Sequence, residues 1–309
     1  MLYLSRSDIL TKAGETMQQN DRKSFLKYLF ATLLFGSNGI VASHIALSSY
    51  EIVLFRTLLG SLFLVALYLL TGGKFHTKEY RRDFIYVALS GLAMGASWMF
   101  LYEGYQEIGV GMATLLYYTG PVFVMILTPV IFKEKLTAPK VIGFAVVFVG
   151  IILINGISGG QRISAWGLIC ALFSALTYTA LVILNKQSKH IVGMENAAIQ
   201  LCGSFIVVAV FVGIKEHFAF AVVAADWPWI LLLGVVNTGI GCYLYFSSLS
   251  KLSVQTIAIC GYMEPLSAVL LAALLLSERM SPIQIVGAVC IIGGAMLGEL
   301  LDMKKKTTA

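Results

Sequence analysis

The chain has 309 residues, 58% of them hydrophobic and 12% charged, with a formal net charge of +6. A soluble protein carries about a quarter charged residues, so this chain does not have the polar surface that a soluble globular fold requires. The positive balance does not point to nucleic acid, because Lys and Arg sit at the ends of apolar runs and form no basic stripe.

The apolar residues fall into runs of roughly 20 between short polar breaks, the spacing of helices that cross a bilayer core of about 30 Å and not the weak alternation of a membrane barrel. The expected fold is all-α and integral to the membrane, with ten transmembrane helices. Residues 1–24 are polar and mixed in charge, so they read as a cytoplasmic tail and not as a cleavable signal. Span one, 25–45, carries Gly36, Ser37, Asn38 and Gly39, small and polar residues that let helices approach closely or line a cavity. Span two, 50–70, contains Arg56 and is followed by the basic loop Lys74, Lys78, Arg81 and Arg82. Span three, 84–105, sets Gly91, Gly95, Trp98, Tyr102 and Tyr105 on one helical face. Spans four (112–132) and five (141–155) are joined by a polar segment in which Thr137 and Pro139 mark a helix start. Spans six (166–184), seven (197–214), eight (229–248), nine (254–276) and ten (283–300) follow, and Lys304, Lys305 and Lys306 close the chain.

Span nine and its exit have an echo 144 positions earlier: Pro265 matches Pro121, Glu278 matches Glu134, Arg279 matches Lys135, and Gly287 and Gly294 match Gly143 and Gly150. A duplicated helix pair, with a mid-membrane charge at Glu264 in one copy only, points to a membrane transporter. Of the 22 Lys and Arg residues, 18 fall in one set of alternate loops and the tails, and 3 in the other set, with Arg56 inside a span. That asymmetry predicts both termini in the cytoplasm and an even number of spans. Five spans per half is odd, so the halves are expected as inverted repeats, with the solute site between them near the midplane.

Residues 100–137 and 245–297 resemble the two EamA-type repeats of the drug/metabolite transporter superfamily, and the resemblance covers nearly the whole chain after Phe25. It implies five-helix repeats over 25–156 and 157–301, flanked by the 1–24 tail and a basic cytoplasmic tail at 302–309. It also implies a central cavity and transport of small metabolites such as amino acids and their relatives, often as export.

An ionised side chain in mid-bilayer costs from about 2.5 kcal/mol upward, so Glu264 needs a reason to be there. It reads either as a coupling carboxylate or substrate-amine ligand, or as a fixed strut. Arg56 either binds a substrate carboxylate in bidentate fashion, or snorkels outward and pairs with Glu51 or Glu103. Trp98, Tyr102, Tyr117, Tyr118, Tyr243, Tyr245 and Tyr262 are candidates for aromatic cavity walls, with interfacial anchoring and helix packing as the alternative. Asn38 and Asn237 are candidate cavity amides. Glu134 and Glu278 are expected to cap helix starts or to pair in loops.

The leading reading is a secondary active transporter in the cytoplasmic membrane, exporting an amino acid or a related amine or organic solute by alternating access. Its expected partners are a small-molecule solute, membrane lipid and protons as coupling ion, in a monomer or homodimer. The alternatives are an intramembrane enzyme acting on a lipid or peptide, and a passive channel. Against the enzyme stand the lack of an HExxH helix and of any Asp inside an apolar run. Neither cofactor nor metal is expected: the four His residues lie at span ends, and the five Cys residues lie in apolar runs without CxxC spacing.

Overall fold

Helices occupy the apolar runs, and the hydrophobic side chains they leave uncovered point outward. The computed structural model describes residues 23–120, 138–156, 164–218, 221–249, 263–278 and 280–307, with the isolated positions 123, 124, 127, 131 and 261. These residues are all-helical, with no strand among them. Six helices are long and apolar enough to cross a membrane: α1 (Lys23–Ala42), α2 (Ser49–Leu70), α3 (Arg81–Ile108), α6 (Ala165–Lys186), α7 (Gly193–Lys215) and α8 (Ala224–Ser248). Between and after them lie α4 (Val110–Tyr117), α5 (Ala138–Gly156), α9 (Met263–Leu275) and α10 (Pro282–Thr307). Leu62, Leu70, Ile206, Ile214, Leu274 and Val289 are all more than half exposed. Such a surface suits lipid and not water.

Local chemistry sets the boundaries. Ser48 caps α2 in a reciprocal box with Glu51, satisfying donors that a helix start leaves open. Gly109, at φ 83, separates α3 from α4 in a conformation that side chains with a Cβ resist. The helix α10 continues through the lysines expected as a tail, ending at Thr307.

Lipid is as apolar as Leu, so packing between these helices depends on close backbone approach. On α3, Gly91 and Gly95 meet the backbone of Gln200 and Ser204 on α7, where an added Cβ would come within 2.5 and 2.8 Å of carbonyl oxygens. The stripe expected to run from small to aromatic thus splits in use: its small end packs α3 on α7, and its aromatic end faces Arg56.

The echoed glycines pack on each other's partners. Gly150 on α5 lies against the Gly287 carbonyl on α10, and Gly294 on α10 lies against the Gly143 carbonyl on α5. Contacts of this reciprocal kind, with the two helices antiparallel, are what a two-fold axis between the copies produces.

Candidate functional site

The helix α8 is irregular where it passes Arg56. Its middle, Leu232–Ile240, is a π-helix, a distortion that recurs at functional sites because it rotates side chains off the regular helical face. There the Thr238 hydroxyl donates to the Leu233 carbonyl at 2.8 Å and accepts the Nε–H of Arg56 at 3.2 Å. Arg56 is 2% exposed, and its Nη1 donates to the Tyr102 hydroxyl. Its guanidinium lies over the Trp98 ring, 4.2 Å from the centroid, and 5.1 Å from that of Tyr102. A desolvated cation–π contact of this kind stabilises by about 2 kcal/mol.

The pairing of Arg56 with Glu51 or Glu103 does not occur. Glu51 is held by the backbone N–H of Ser48 at 2.8 Å, and Glu103 accepts from Ser49 and from the Trp166 indole at 3.2 Å. Nor does Arg56 snorkel, since the π-helix and α3 enclose it. No carboxylate lies within ion-pair distance of it among the described residues.

Glu264 lies on α9, where the chain presses on the break in α1. A Cβ at Gly36 would sit 2.0 Å from the Ser267 hydroxyl and 2.8 Å from the Glu264 carbonyl. The carboxyl of Glu264 lies beside the Tyr118 side chain, with Arg56 in its wider surroundings. It forms no ion pair among the described residues and keeps partial exposure. Tyr102, Tyr105, Tyr117 and Tyr245 lie in the same surroundings. The Tyr117 ring lies 5.4 Å from Tyr118 and 5.2 Å from Tyr178, and Tyr245 stacks on Tyr28 at 5.2 Å.

Asn38 and Asn237 are brought together, but with each other and with the break in α1. The Asn237 amide donates to the Leu34 carbonyl at 3.0 Å, the Ser37 hydroxyl at 2.9 Å and the Asn38 side-chain oxygen at 3.1 Å. This links the interrupted turn of α1 to the π-helix of α8. Tyr243 sits apart, under Lys27 at 5.8 Å. Tyr262 lies outside the described residues, as do Pro121, Glu134 and Arg279. Thr238, Tyr28 and Tyr178 escaped the sequence reading because nothing in their spacing separates them from ordinary helix-packing residues.

The two charges have no counterparts in the other copy. At the displacement of 144, Arg56 corresponds to Gln200 and Glu264 to Gly120. Gln200 is buried and spends its amide on Ser90 at 3.2 Å, while Gly120 packs under Tyr178. The echo in the sequence thus does not extend to these two charged positions.

Six helices of membrane length, packed around the buried Arg56, define a multi-pass membrane protein. Over residues 23–156 and again over 165–298 the chain matches the EamA-like transporter family, and it belongs to that family. It is 30% identical to uncharacterized transporter YxxF of Bacillus subtilis (strain 168), over 88% of each chain. It is 28% identical to a probable terminal-alkyne amino-acid exporter of Streptantibioticus cattleyicolor, over 70% of this chain and 73% of that relative. One solved crystal structure shares the fold at a TM-score of 0.65 and 17% identity, covering 90% of this chain and 98% of its own.

Proposed function

We propose that the chain is a secondary active transporter that carries a zwitterionic amino acid, or a close relative, out across the cytoplasmic membrane by alternating access. Arg56 would take the substrate carboxylate and Glu264 the ammonium, with Trp98, Tyr102, Tyr117 and Tyr245 enclosing the rest. The observation that carries this reading is two oppositely charged side chains set near aromatic rings, neither of which forms an ion pair among the described residues. Thr238 and Tyr102 occupy Nε and Nη1 of Arg56 and leave Nη2 to a ligand. Leaving the buried Arg56 guanidinium without a counter-charge is costly, and a zwitterion would answer Arg56 and Glu264 at once. The amino-acid exporter among the relatives favours the same solute class. Ten spans in two inverted repeats, with both termini cytoplasmic, complete the proposal; the antiparallel α5 and α10 and the loop-charge asymmetry support it.

Glu264 also offers a route for proton coupling, because a carboxyl protonated in one access state and ionised in the other moves a proton against the solute. The test is counterflow in proteoliposomes, after a thermal-shift screen of amino acids, amines and organic acids. A ligand at 100 times its Kd raises folded-state stability by about 2.7 kcal/mol. The proposal expects a free amino acid to protect while its methyl ester and its decarboxylated amine do not, and saturable counterflow of the protecting solute. Glu264→Gln should abolish the pH dependence of net transport. Protection by esters or amines equal to that by amino acids would sink the zwitterion assignment. Flux without saturation would favour a channel.

A further inference from the structure

We propose that Glu278 is a latch that holds the seam between α4 and α9 shut on the face where α9 ends. This assignment rests on the alternating-access reading given above. Glu278 comes from the turn between α9 and α10, yet its carboxylate reaches into the other copy. Oε1 accepts the N–H of Val110 at 2.7 Å and Oε2 that of Gly111 at 2.9 Å, the first residues of α4. A helix start is short of acceptors and carries partial positive charge, so an ionised carboxylate is its strongest available partner.

The backbone on both sides is shaped around this contact. Gly109, at φ 83, leaves little space for a side chain, since a Cβ there would sit 3.0 Å from Glu278 Oε1. Ser277 has φ 55, a left-handed conformation that a residue with a Cβ resists, while the Glu278 N–H bonds back to the Ala272 carbonyl at 3.2 Å. Strained backbone of this kind persists where surrounding contacts hold it, and it clusters at ligand clamps and switch regions.

The latch differs from an ordinary strut in what its two helices carry. Tyr118 follows α4 directly and Glu264 lies on α9, so the neighbouring pair in the candidate site bridges the same two segments that Glu278 ties together. Eight residues of helix place the latch about 12 Å along α4 from Tyr118. Parting the start of α4 from the end of α9 opens the seam toward that pair. Other carboxylates bind across the halves on this face, Glu216 to Ser48, Asp226 to the Ala46 N–H, Glu103 to the Trp166 indole and Glu107 to Ser164, but none of these contacts involves α4 or α9.

The reporter is Ala272→Cys in a background whose native cysteines are replaced by Ala. Ala272 is 1% exposed and lies 3.8 Å from a Cβ built at Gly111, directly beneath the latch. Labelling by a membrane-impermeant maleimide is followed in right-side-out and inside-out vesicles, and counterflow is measured on the same preparations. Glu278→Gln, which accepts only one of the two N–H groups, should raise the labelling rate from one face about tenfold, the effect of losing a hydrogen bond to a charged group. Val110→Pro removes a donor and leaves the carboxylate in place, at a first helical position that tolerates Pro, and should raise the rate on the same face. If Glu278→Gln does not fold, Val110→Pro alone decides. Unchanged labelling in a variant that still folds, with counterflow intact in the parent, overturns the latch. Absence of counterflow in the parent overturns the alternating-access reading instead.

Discussion

Gly150 meets Gly287 across α5 and α10 so closely that a Cβ on Gly150 would lie 2.7 Å from the Gly287 carbonyl oxygen. The reciprocal contact, Gly294 on the Gly143 carbonyl, is nearly as tight at 2.9 Å. Ala in place of a helical Gly should stabilise an open site by up to about 1 kcal/mol through backbone entropy, whereas overpacking costs about 1–3 kcal/mol. At these two positions overpacking wins. Gly150→Ala and Gly294→Ala should therefore each lower the melting temperature in detergent. Gly293→Ala, which meets nothing within 4 Å, should leave it unchanged or raise it. Equal behaviour of all three variants would show that this contact does not hold α5 to α10.

Arg56→Lys retains the charge and removes the planar fork. One ammonium cannot reproduce the Nε contact with Thr238, the Nη1 contact with Tyr102 and the stack on Trp98 together. Affinity for a solute bearing a carboxylate should fall by about tenfold to a hundredfold, the scale of one or two hydrogen bonds to a charged group. Affinity measured by protection against unfolding checks this, and a loss smaller than twofold would return Arg56 to a structural role.

Asp83, 8% exposed at the start of α3, accepts the N–H groups of Lys189 at 2.8 Å and His190 at 2.7 Å, and the His190 ring at 3.0 Å. Tyr80 stacks on that ring at 4.4 Å. Asp83→Ala leaves two donors of the loop between α6 and α7 without their acceptor, which should cost about 1–3 kcal/mol of stability. Solute affinity should not change, because Asp83 lies about 28 Å along α3 from Tyr102. A large change in affinity with unchanged melting would contradict this division of labour.

Cysteines introduced at Ser158 and Ala225 should react with an impermeant maleimide from outside intact cells, and those at Thr77 and Ser188 only after the membrane is breached. The loop-charge asymmetry motivates the assignment. Reversed labelling at these four sites would invert the orientation of every element.

Hydrophobic run length, loop charge and the 144-residue echo all rest on residue identity and order, so the membrane location, the helical class and the duplication were legible in the sequence. Glu264 stood out for the same reason, since a charge inside an apolar run is conspicuous without any coordinates. Which charges meet was a different matter. Glu51 and Glu103 lie as near to Arg56 in position along the membrane as Glu264 does to any partner, and only folding shows them already engaged by Ser48, Ser49 and Trp166. Asn38 and Asn237 read alike as polar residues within spans, and only the crossing of α1 and α8 makes them one another's partners. The echo identified the matching glycines, but not that each would pack on its partner's mate, because that depends on the two helices running antiparallel. Thr238 meets Arg56 from a π-helix that packs against α2, and periodicity along the chain carries no mark of it.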